Sequence, residues 1–305
     1  MHKPTLAISI GDINGVGLEL AIKTHQEISQ ICKPLYCVDK EILQSASQLL
    51  SLPLSDDMIL SPLGFSPKIK VGQIDKESGE YSYKSFKRAI DLCEKNEADA
   101  LVTMPIHKEA WMLGGLEYKG HTDLLRKHFK QDAIMMLGCD RMYVALYTEH
   151  IPLKDVASTI TKDRLIKFFR DFYKSIGDHK VAVSGLNPHA GDNGVLGDEE
   201  RAIEEAILEV NKEIGKDLFD GAIVPDIAFT PHFRKNYRYF IAMYHDQGLA
   251  PLKALYFDES VNISLNLPII RTSVDHGTAF DIAYQGKAKN LSYINAVKSA
   301  ISLLR

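Results

Sequence analysis

The sequence lacks any apolar run that approaches the roughly 20 residues of a membrane-spanning helix. It also lacks a basic excess, because 36 Lys and Arg residues stand against 40 Asp and Glu, for a net charge of −4. The missing basic face argues against a nucleic-acid partner and against a polybasic membrane anchor. The N-terminus enters an apolar strand pattern at once, without the regions of a secretory signal, so we expect a cytoplasmic protein.

Cysteine is scarce, and the four cysteines form no Cys-x-x-Cys pair. They are typical of scattered core thiols in a reducing compartment. The chain has no internal repeats and no low-complexity tract. It also has neither the Gly-x-Gly-x-x-Gly fingerprint of dinucleotide-binding domains nor a Walker phosphate loop. Those two common nucleotide sites are therefore excluded.

Short apolar runs rich in Val, Ile and Ala alternate with helical patterns, which predicts an α/β fold with a mostly parallel sheet. A chain of 305 residues is long enough for two domains. The predicted strands are Thr5–Ile10, Leu35–Val38, Ala100–Met104, Ala133–Leu137, Met142–Tyr147, Val181–Ser184, Tyr239–Tyr244 and Val261–Leu265. Amphipathic spacing predicts helices over Tyr81–Lys95 and Asp198–Lys212.

Glycine and proline are concentrated where the predicted strands end, and ligands of open α/β sheets bind beyond those ends. The first such loop, Gly11–Gly17, carries three glycines before a helix and is either a tight turn or a wall for an anion. Lys108, in Pro105-Ile106-His107-Lys108, is either solvated or an anion ligand. Thr122 or Asp123 can cap the next helix, while His121 beside them can clamp a phosphate.

Three histidines follow strand ends in similar settings: His150, His189 and His245. Parallel strands would bring them to one rim, and three imidazoles with an open position are the ligands of catalytic zinc and related ions. Glu149, Asn187 and Asp246 are polar neighbours that could orient the rings. Each histidine alone is more often structural, and the long spacings form no metal motif by themselves.

Charged and polar residues crowd between apolar runs from Tyr244 to Gly286. Arg271 offers a bidentate fork and Lys253 a point charge, so the stretch favours a site for a small polyanion. A buried ion-pair network is the alternative.

Together these segments resemble the 4-hydroxythreonine-4-phosphate dehydrogenase family of vitamin B6 biosynthesis. The resemblance spans nearly the whole chain. Its most specific blocks are Leu186–Gly191, Tyr244–Leu249 and Arg271–Ala283. The family is related to the isocitrate and isopropylmalate dehydrogenases, which bind a nicotinamide cofactor without the usual glycine fingerprint.

The resemblance implies a two-domain, isocitrate/isopropylmalate dehydrogenase-like fold with the active-site cleft between the domains. We expect residues 1–128 together with 262–305 to form the cofactor-side domain. Residues 129–261 would form the metal, substrate and dimerisation domain. A homodimer with the active site at the subunit interface is implied as well.

The implied reaction is the NAD- or NADP-dependent oxidation of 4-phosphooxy-L-threonine, assisted by one divalent ion (zinc, magnesium or cobalt). The 2-amino-3-oxo-4-phosphooxybutanoate formed loses carbon dioxide to give 3-amino-2-oxopropyl phosphate, on the way to pyridoxal 5'-phosphate. The resemblance assigns the metal to His150, His189 and His245. It assigns the substrate to His121, Thr122, Lys253, Asn262 and Arg271. The segment that contacts the cofactor in the relatives corresponds to His276, Gly277, Thr278 and Asp281.

Other residues are candidates for proton transfer. Asp246 and Asp226 are the carboxylates that we expect to take part, with Lys108 as a candidate relay. Several positions depart from the usual family pattern without removing a proposed ligand: Ile13 and Leu18 replace prolines, His107 replaces asparagine, Asp123 replaces glutamate, Asp192-Asn193 replaces Glu-Gly, and Asn266 replaces glycine.

Three other functions fit parts of the pattern. A paralogue that oxidises threonate or erythronate 4-phosphate would share the metal and the cofactor. A metal-dependent phosphohydrolase also uses histidines with phosphate ligands. A non-catalytic phosphate-sensing module with a structural zinc would need four protein ligands.

Overall fold

The computed structural model describes residues 3–304. It confirms the α/β class, with a large and mostly parallel sheet. The chain divides into two compact units. The first contains residues 3–131, 261–263 and 267–304, and the second contains residues 132–260 and 264–266.

The first unit alternates strands and helices, numbered here in chain order. Its strands are β1 (Thr5–Ser9), β2 (Lys33–Cys37), β3 (Ile59–Leu60), β4 (Ala100–Thr103) and β11 (Arg271–Val274), with the start of β10 (Val261–Leu265). Its helices are α1 (Gly17–Ile28), α2 (Lys40–Leu50), α3 (Lys76–Glu94), α4 (Lys108–Leu113), α5 (His121–Phe129) and α11 (Leu291–Leu303).

The strands of the first unit follow the order β3-β2-β1-β4-β11-β10. β1 pairs in parallel with β2 and β4, and β4 in parallel with β11. Because their carboxyl ends meet at one edge, the loops after β1, β4 and β11 lie close together. Beneath them, Phe86, Leu101 and Trp111 are buried in one apolar cluster.

The second unit has the same alternation. Its strands are β5 (Ile134–Cys139), β6 (Met142–Leu146), β7 (Val181–Ser184), β8 (Phe219–Ile223) and β9 (Tyr239–Ala242), with the end of β10. Its helices are α6 (Lys162–Ile176), α7 (Glu199–Ile214), α8 (Pro225–Ala228), α9 (Pro231–Asn236) and α10 (His245–Tyr256).

The strands of the second unit follow the order β5-β6-β9-β7-β8. β5 and β6 are antiparallel, whereas β9 is parallel to both β6 and β7. The three strands that precede His150, His189 and His245 are thus neighbours that point the same way. The core of the unit includes Met142, Phe240 and Leu252.

All eight predicted strands are present, but three further strands were missed. β3 has two residues, β8 contains Asp220 and Gly221, and β11 reads Arg-Thr-Ser-Val. None has the apolar run by which buried strands were recognised. Every residue of β11 is buried all the same, so tertiary packing overrides its local composition.

The helix beginnings also differ from the prediction. α3 begins at Lys76, five residues before the predicted Tyr81, because the Asp75 carboxylate accepts hydrogen bonds from the amides of Glu77 and Ser78. The prediction that Thr122 or Asp123 caps α5 was wrong. The capping position belongs to Gly120, and both residues lie in the first turn.

The four cysteines are buried and free, as predicted. Among residues 3–304, no helix has both the length and the apolarity needed to span a membrane.

Candidate active site

The first unit contains a cluster built on the buried guanidinium of Arg271, which we call the Arg271 cluster: Thr103, His121, Asn262 and Arg271. Arg271 Nε and Nη2 both donate to Thr103 Oγ1, at 3.2 and 2.7 Å. Nη1 donates to Asn262 Oδ1 at 3.3 Å, and Nη2 also lies 3.2 Å from His121 Nδ1. Three residues that were predicted to bind substrate are thus brought together.

The His121 ring is enclosed by aromatic side chains. Its centroid lies 4.5 Å from that of Phe86 and 5.8 Å from that of Trp111, both edge-on. Arginine only donates hydrogen bonds, so His121 Nδ1 accepts from Arg271 and the ring hydrogen lies on Nε2. Nε2 is buried and has no hydrogen-bond partner within the described chain. The buried Nε2–H of His121 is therefore a donor that a bound ligand could use.

Burial sets the charges of this cluster. It lowers the pKa of Arg271 to about 9, at which the side chain is still a cation near neutral pH. Burial, together with the positive charge of Arg271, lowers the pKa of His121 well below its ordinary range. The pair therefore presents one cation and one neutral imidazole, a combination suited to a phosphate group.

Thr122 and Lys108 border the cluster. Thr122 is half-buried in the first turn of α5, where backbone amides favour an anion. Lys108 is exposed, and its Cε lies 3.7 Å from the place where a Cβ on Gly120 would stand. The predicted relay therefore lies beside the loop that carries His121.

The predicted cofactor segment packs on the glycine loop after β1. The Val16 amide donates to Thr278 O at 3.0 Å, and a Cβ on Gly15 would lie only 2.6 Å from that oxygen. The Phe280 and His107 rings stack at 5.1 Å. His276, Gly277 and Asp281 stay exposed over this anchored backbone. This surface, with exposed groups on a fixed backbone, is suited to contact a nicotinamide dinucleotide.

Asp12, in the same glycine loop, is a buried carboxyl to which the sequence had assigned no role. Its Oδ1 accepts from the Asn14 amide at 2.9 Å. Burial raises the pKa of Asp12 to about 6, although that hydrogen bond and the Ser78 hydroxyl act in the opposite direction. A carboxyl with such a pKa is typical of functional sites.

The second unit brings two of the three predicted metal ligands together. The His150 and His245 ring centroids lie 5.4 Å apart. His245 Nδ1 is 2.9 Å from Asp246 Oδ1. A carboxylate on Nδ1 holds the hydrogen there and leaves the Nε2 lone pair for an ion, which is the usual arrangement of a metal-binding histidine. These two imidazoles fit a divalent transition metal.

His189 differs from the other two. It lies in a 3-10 segment, Pro188–Gly194, with a left-handed backbone (φ 52°) and an exposed side chain. No three His, Cys, Asp or Glu side chains of residues 3–304 are grouped closely enough to hold one metal. The assignment of all three histidines to one metal ion stays a prediction. The strands are adjacent as expected, but the loop after β7 has a left-handed backbone that differs from the loops after β6 and β9.

Two side chains fix the loops around these histidines. Buried Glu200 accepts hydrogen bonds from the amides of Leu186 and Asn187 and from the Asn187 side chain, at 2.7–2.9 Å. Gln247 accepts from the Met243 amide and donates to Gly185 O, both at 2.7 Å. The sequence analysis missed both residues, as it missed Thr103. Their only local signal is a polar residue in an otherwise ordinary helix or strand.

Two further predicted residues belong to the second unit. Asp226 is exposed on α8, a helix of four residues. Lys253 is half-buried on α10, with its Nζ 5.2 Å from the centre of the Phe257 ring. The roles assigned to both residues stay predictions.

Comparisons with known proteins agree on one family. A family model described as "Pyridoxal phosphate biosynthetic protein PdxA" matches residues 30–300. A 4-hydroxythreonine-4-phosphate dehydrogenase from Sulfurimonas denitrificans is 65% identical, with 99% of both chains covered. One from Campylobacter fetus is 52% identical, again over 99% of both. The crystal structure of a 4-hydroxythreonine-4-phosphate dehydrogenase from Burkholderia phymatum has a TM-score of 0.85 at 32% identity, over 99% of both chains.

Proposed function

Because the chain belongs to the PdxA family of pyridoxal phosphate biosynthetic proteins, we propose that it oxidises 4-phosphooxy-L-threonine with NAD or NADP and one divalent metal ion. Membership makes the chain an oxidoreductase of pyridoxal 5'-phosphate biosynthesis, of the 4-hydroxythreonine-4-phosphate dehydrogenase type. The product, 2-amino-3-oxo-4-phosphooxybutanoate, then decarboxylates to 3-amino-2-oxopropyl phosphate. The proposed enzyme is a cytoplasmic homodimer whose active site is completed at the subunit interface.

The observation that carries the proposal is the Arg271 cluster. There a buried arginine cation lies within hydrogen-bond distance of both an amide and a neutral imidazole whose Nε2 is buried. Such a set suits a phosphate monoester, which carries about −1.5 to −2 charges at neutral pH. His121, Asn262 and Arg271 thus bind the phosphate, with Thr122 at the start of α5. We assign Lys253 to the substrate on the family resemblance alone.

The second unit supplies the metal ligands in this proposal. His150, His189 and His245 would hold the ion. A bound zinc, magnesium or cobalt ion would lower the pKa of the substrate hydroxyl, and NAD or NADP would accept the hydride. Asp246 orients His245 through Nδ1. Asp246 and Asp226 remain the carboxylates proposed for proton transfer, with Lys108 as the candidate relay.

The decisive experiment uses the metal-stripped full-length protein with zinc, magnesium or cobalt restored singly. Reduced nicotinamide and free inorganic phosphate are followed together, with NAD and with NADP. We expect reduced cofactor to form from 4-phosphooxy-L-threonine without phosphate release. Phosphate release without reduction would identify a hydrolase, and faster turnover of threonate 4-phosphate would identify the paralogue.

Replacing a metal ligand tests the second unit. His245→Ala should weaken metal binding by more than about 100-fold, because the loss of a ligand should cost more than the roughly 10- to 100-fold of losing a partner that orients it. His232→Ala is the matched control, since His232 is an exposed histidine of the same unit. Both proteins should stay folded, and calorimetric titration with zinc gives the affinities. Unchanged metal affinity and activity in His245→Ala would refute the assignment.

Replacing the guanidinium tests the first unit. Arg271→Ala should raise KM for the phosphorylated substrate by about 10- to 100-fold, the worth of one or two hydrogen bonds to a charged group. Arg271→Lys keeps a charge but loses the planar fork, so its KM should lie between those of the wild type and Arg271→Ala. An unchanged KM in both variants would mean that the phosphate binds elsewhere.

A further inference from the structure

Thr103 joins the Arg271 cluster through its hydroxyl, although it lies inside an apolar strand. It is fully buried at the end of β4, opposite Ser273 of β11. The Oγ1 atom accepts from both Nε and Nη2 of Arg271. One oxygen therefore holds the Nε–Nη2 edge of the guanidinium, the edge with which arginine usually grips a carboxylate or phosphate.

This contact fixes the orientation of the guanidinium. With the Nε–Nη2 edge against Thr103, the guanidinium turns its Nη1–Nη2 end between Asn262 and His121. Nη2 then donates to His121 Nδ1, and this bond places the ring hydrogen of His121 on Nε2. Without the Thr103 oxygen, the guanidinium would lose its two contacts to β4 and could rotate away from His121.

We infer that Thr103 is a positioning residue, which holds Arg271 so that Nη2 fixes the His121 tautomer, and the guanidinium charge and the His121 Nε2–H are presented to the substrate phosphate. The inference rests on the proposed function, because it assumes that the Arg271 cluster binds phosphate. Thr103 itself touches no substrate. Its effect passes entirely through the arginine and then through the imidazole.

The variants that test this role differ by single atoms. Thr103→Val keeps the shape of the side chain but removes the acceptor, and Thr103→Ser keeps the hydroxyl. Thr272→Val is the matched control. Thr272 is an equally buried threonine on the adjoining strand, but its hydroxyl donates to Ala296 O at 2.8 Å instead of contacting Arg271.

Phosphate binding can be followed without turnover. Trp111 is the only tryptophan of the chain, and its ring centroid lies 5.8 Å from that of His121. Inorganic phosphate bound at the cluster should therefore change the tryptophan fluorescence. We expect Thr103→Val to bind phosphate about tenfold more weakly than the wild type, and Thr103→Ser within about twofold of it. Thr272→Val should bind like the wild type.

Steady-state kinetics and nitrogen NMR separate positioning from a loss of folding. In Thr103→Val, KM for the phosphorylated substrate should rise about tenfold while kcat changes less. The His121 ring, assigned by comparison with His121→Asn, should show the Nε2–H tautomer in the wild type and a mixture of tautomers in Thr103→Val. If Thr103→Val proves too unstable, Thr103→Ala should give the same pattern.

The possible failures are distinguishable. If the wild type binds no phosphate by fluorescence or calorimetry, then both the phosphate site and the positioning role of Thr103 are refuted. If the wild type binds phosphate and Thr103→Val or Thr103→Ala matches it in affinity, KM and tautomer, then only the positioning role falls. If both Thr103→Val and Thr272→Val have a lower melting temperature than the wild type but bind phosphate normally, then Thr103 is purely structural.

Discussion

Replacing Asp12 by asparagine should stabilise the protein at neutral pH, although it removes a charge from a functional loop. Asp12 is 1% exposed, so water screens its carboxylate very little. Burial raises its pKa from 3.8 to about 6. At about 1.36 kcal/mol per pKa unit, this shift corresponds to about 3 kcal/mol that the folded protein loses when the group ionises.

The sign follows from proton binding. The folded state holds the Asp12 proton more tightly than the unfolded chain, so the stability associated with the neutral carboxyl is complete below pH 3.8. It is lost as the pH rises through about 6. The asparagine side chain of the Asp12→Asn variant stays neutral at every pH, and its oxygen can keep the hydrogen bond from the Asn14 amide. The advantage of the variant should therefore grow with pH.

The assay is urea unfolding of the wild type and Asp12→Asn between about pH 5 and pH 8. Trp111 fluorescence reports on the same unit that contains Asp12. About half of the full effect, roughly 1.4 kcal/mol, falls within this range. Using the change with pH, instead of the value at one pH, removes any constant effect of the substitution on packing.

Asp57→Asn is the control in the same unit, because the Asp57 carboxyl is ionised in both the folded and the unfolded protein over this pH range. Hydrogen bonds from Ser55 and then from His25 lower the pKa of Asp57, which is exposed. Its stabilising contribution is complete above its unfolded pKa of 3.8 and is lost only below that pH, so the stability difference between Asp57→Asn and the wild type should stay constant from about pH 5 to pH 8. If the advantage of Asp12→Asn stays constant or shrinks towards pH 8, the burial argument for Asp12 is refuted.

Two other predictions concern the loops that carry the proposed ligands. Gly15→Ala should destabilise the first unit by about 1–3 kcal/mol and weaken NAD binding more than phosphate binding, because the new Cβ would lie 2.6 Å from Thr278 O. Calorimetry with each ligand measures the difference, and equal losses for both would contradict the reasoning. Glu200→Gln should lower zinc affinity about 10-fold or more. The Glu200 carboxylate now accepts a hydrogen bond from the Asn187 side chain, and in the variant an amide nitrogen, which cannot accept, could face that donor. Glu204→Gln, an exposed change on the same helix, is the control, and equal zinc affinity in the two variants would exclude a role for Glu200 in placing His189.

Much of the fold could be predicted because most strands are buried on both faces and therefore read as continuous apolar runs. β1, β4 and β9 are of this kind. β11 could not be found in that way, because its buried side chains include Arg271, Thr272 and Ser273, whose partners lie on β4, β10 and α11. Only the folded structure supplies those partners, so no local pattern can indicate them.

The candidate site divides along the same line. Residues at the carboxyl ends of strands were predictable, since β6, β9 and β7 are parallel neighbours and the histidines follow their ends. Their convergence was not, because the position of a ring depends on the loop as well as on the strand. His245 opens α10 directly after β9, whereas His189 lies inside a left-handed segment that Glu200 holds through Leu186 and Asn187.

The Arg271 cluster shows why positioning residues escape sequence analysis more often than ligands do. Arginine and histidine are conspicuous in an apolar context, and both were identified as candidate ligands. Thr103 is not conspicuous, since threonine is a common strand residue and its methyl group packs like valine. Its hydroxyl gains a role only because parallel pairing sets Ser273 beside it and brings Arg271 within hydrogen-bond distance. The residues that bind an anion can therefore be identified from the sequence, whereas the residues that position them can be identified only from the folded sheet.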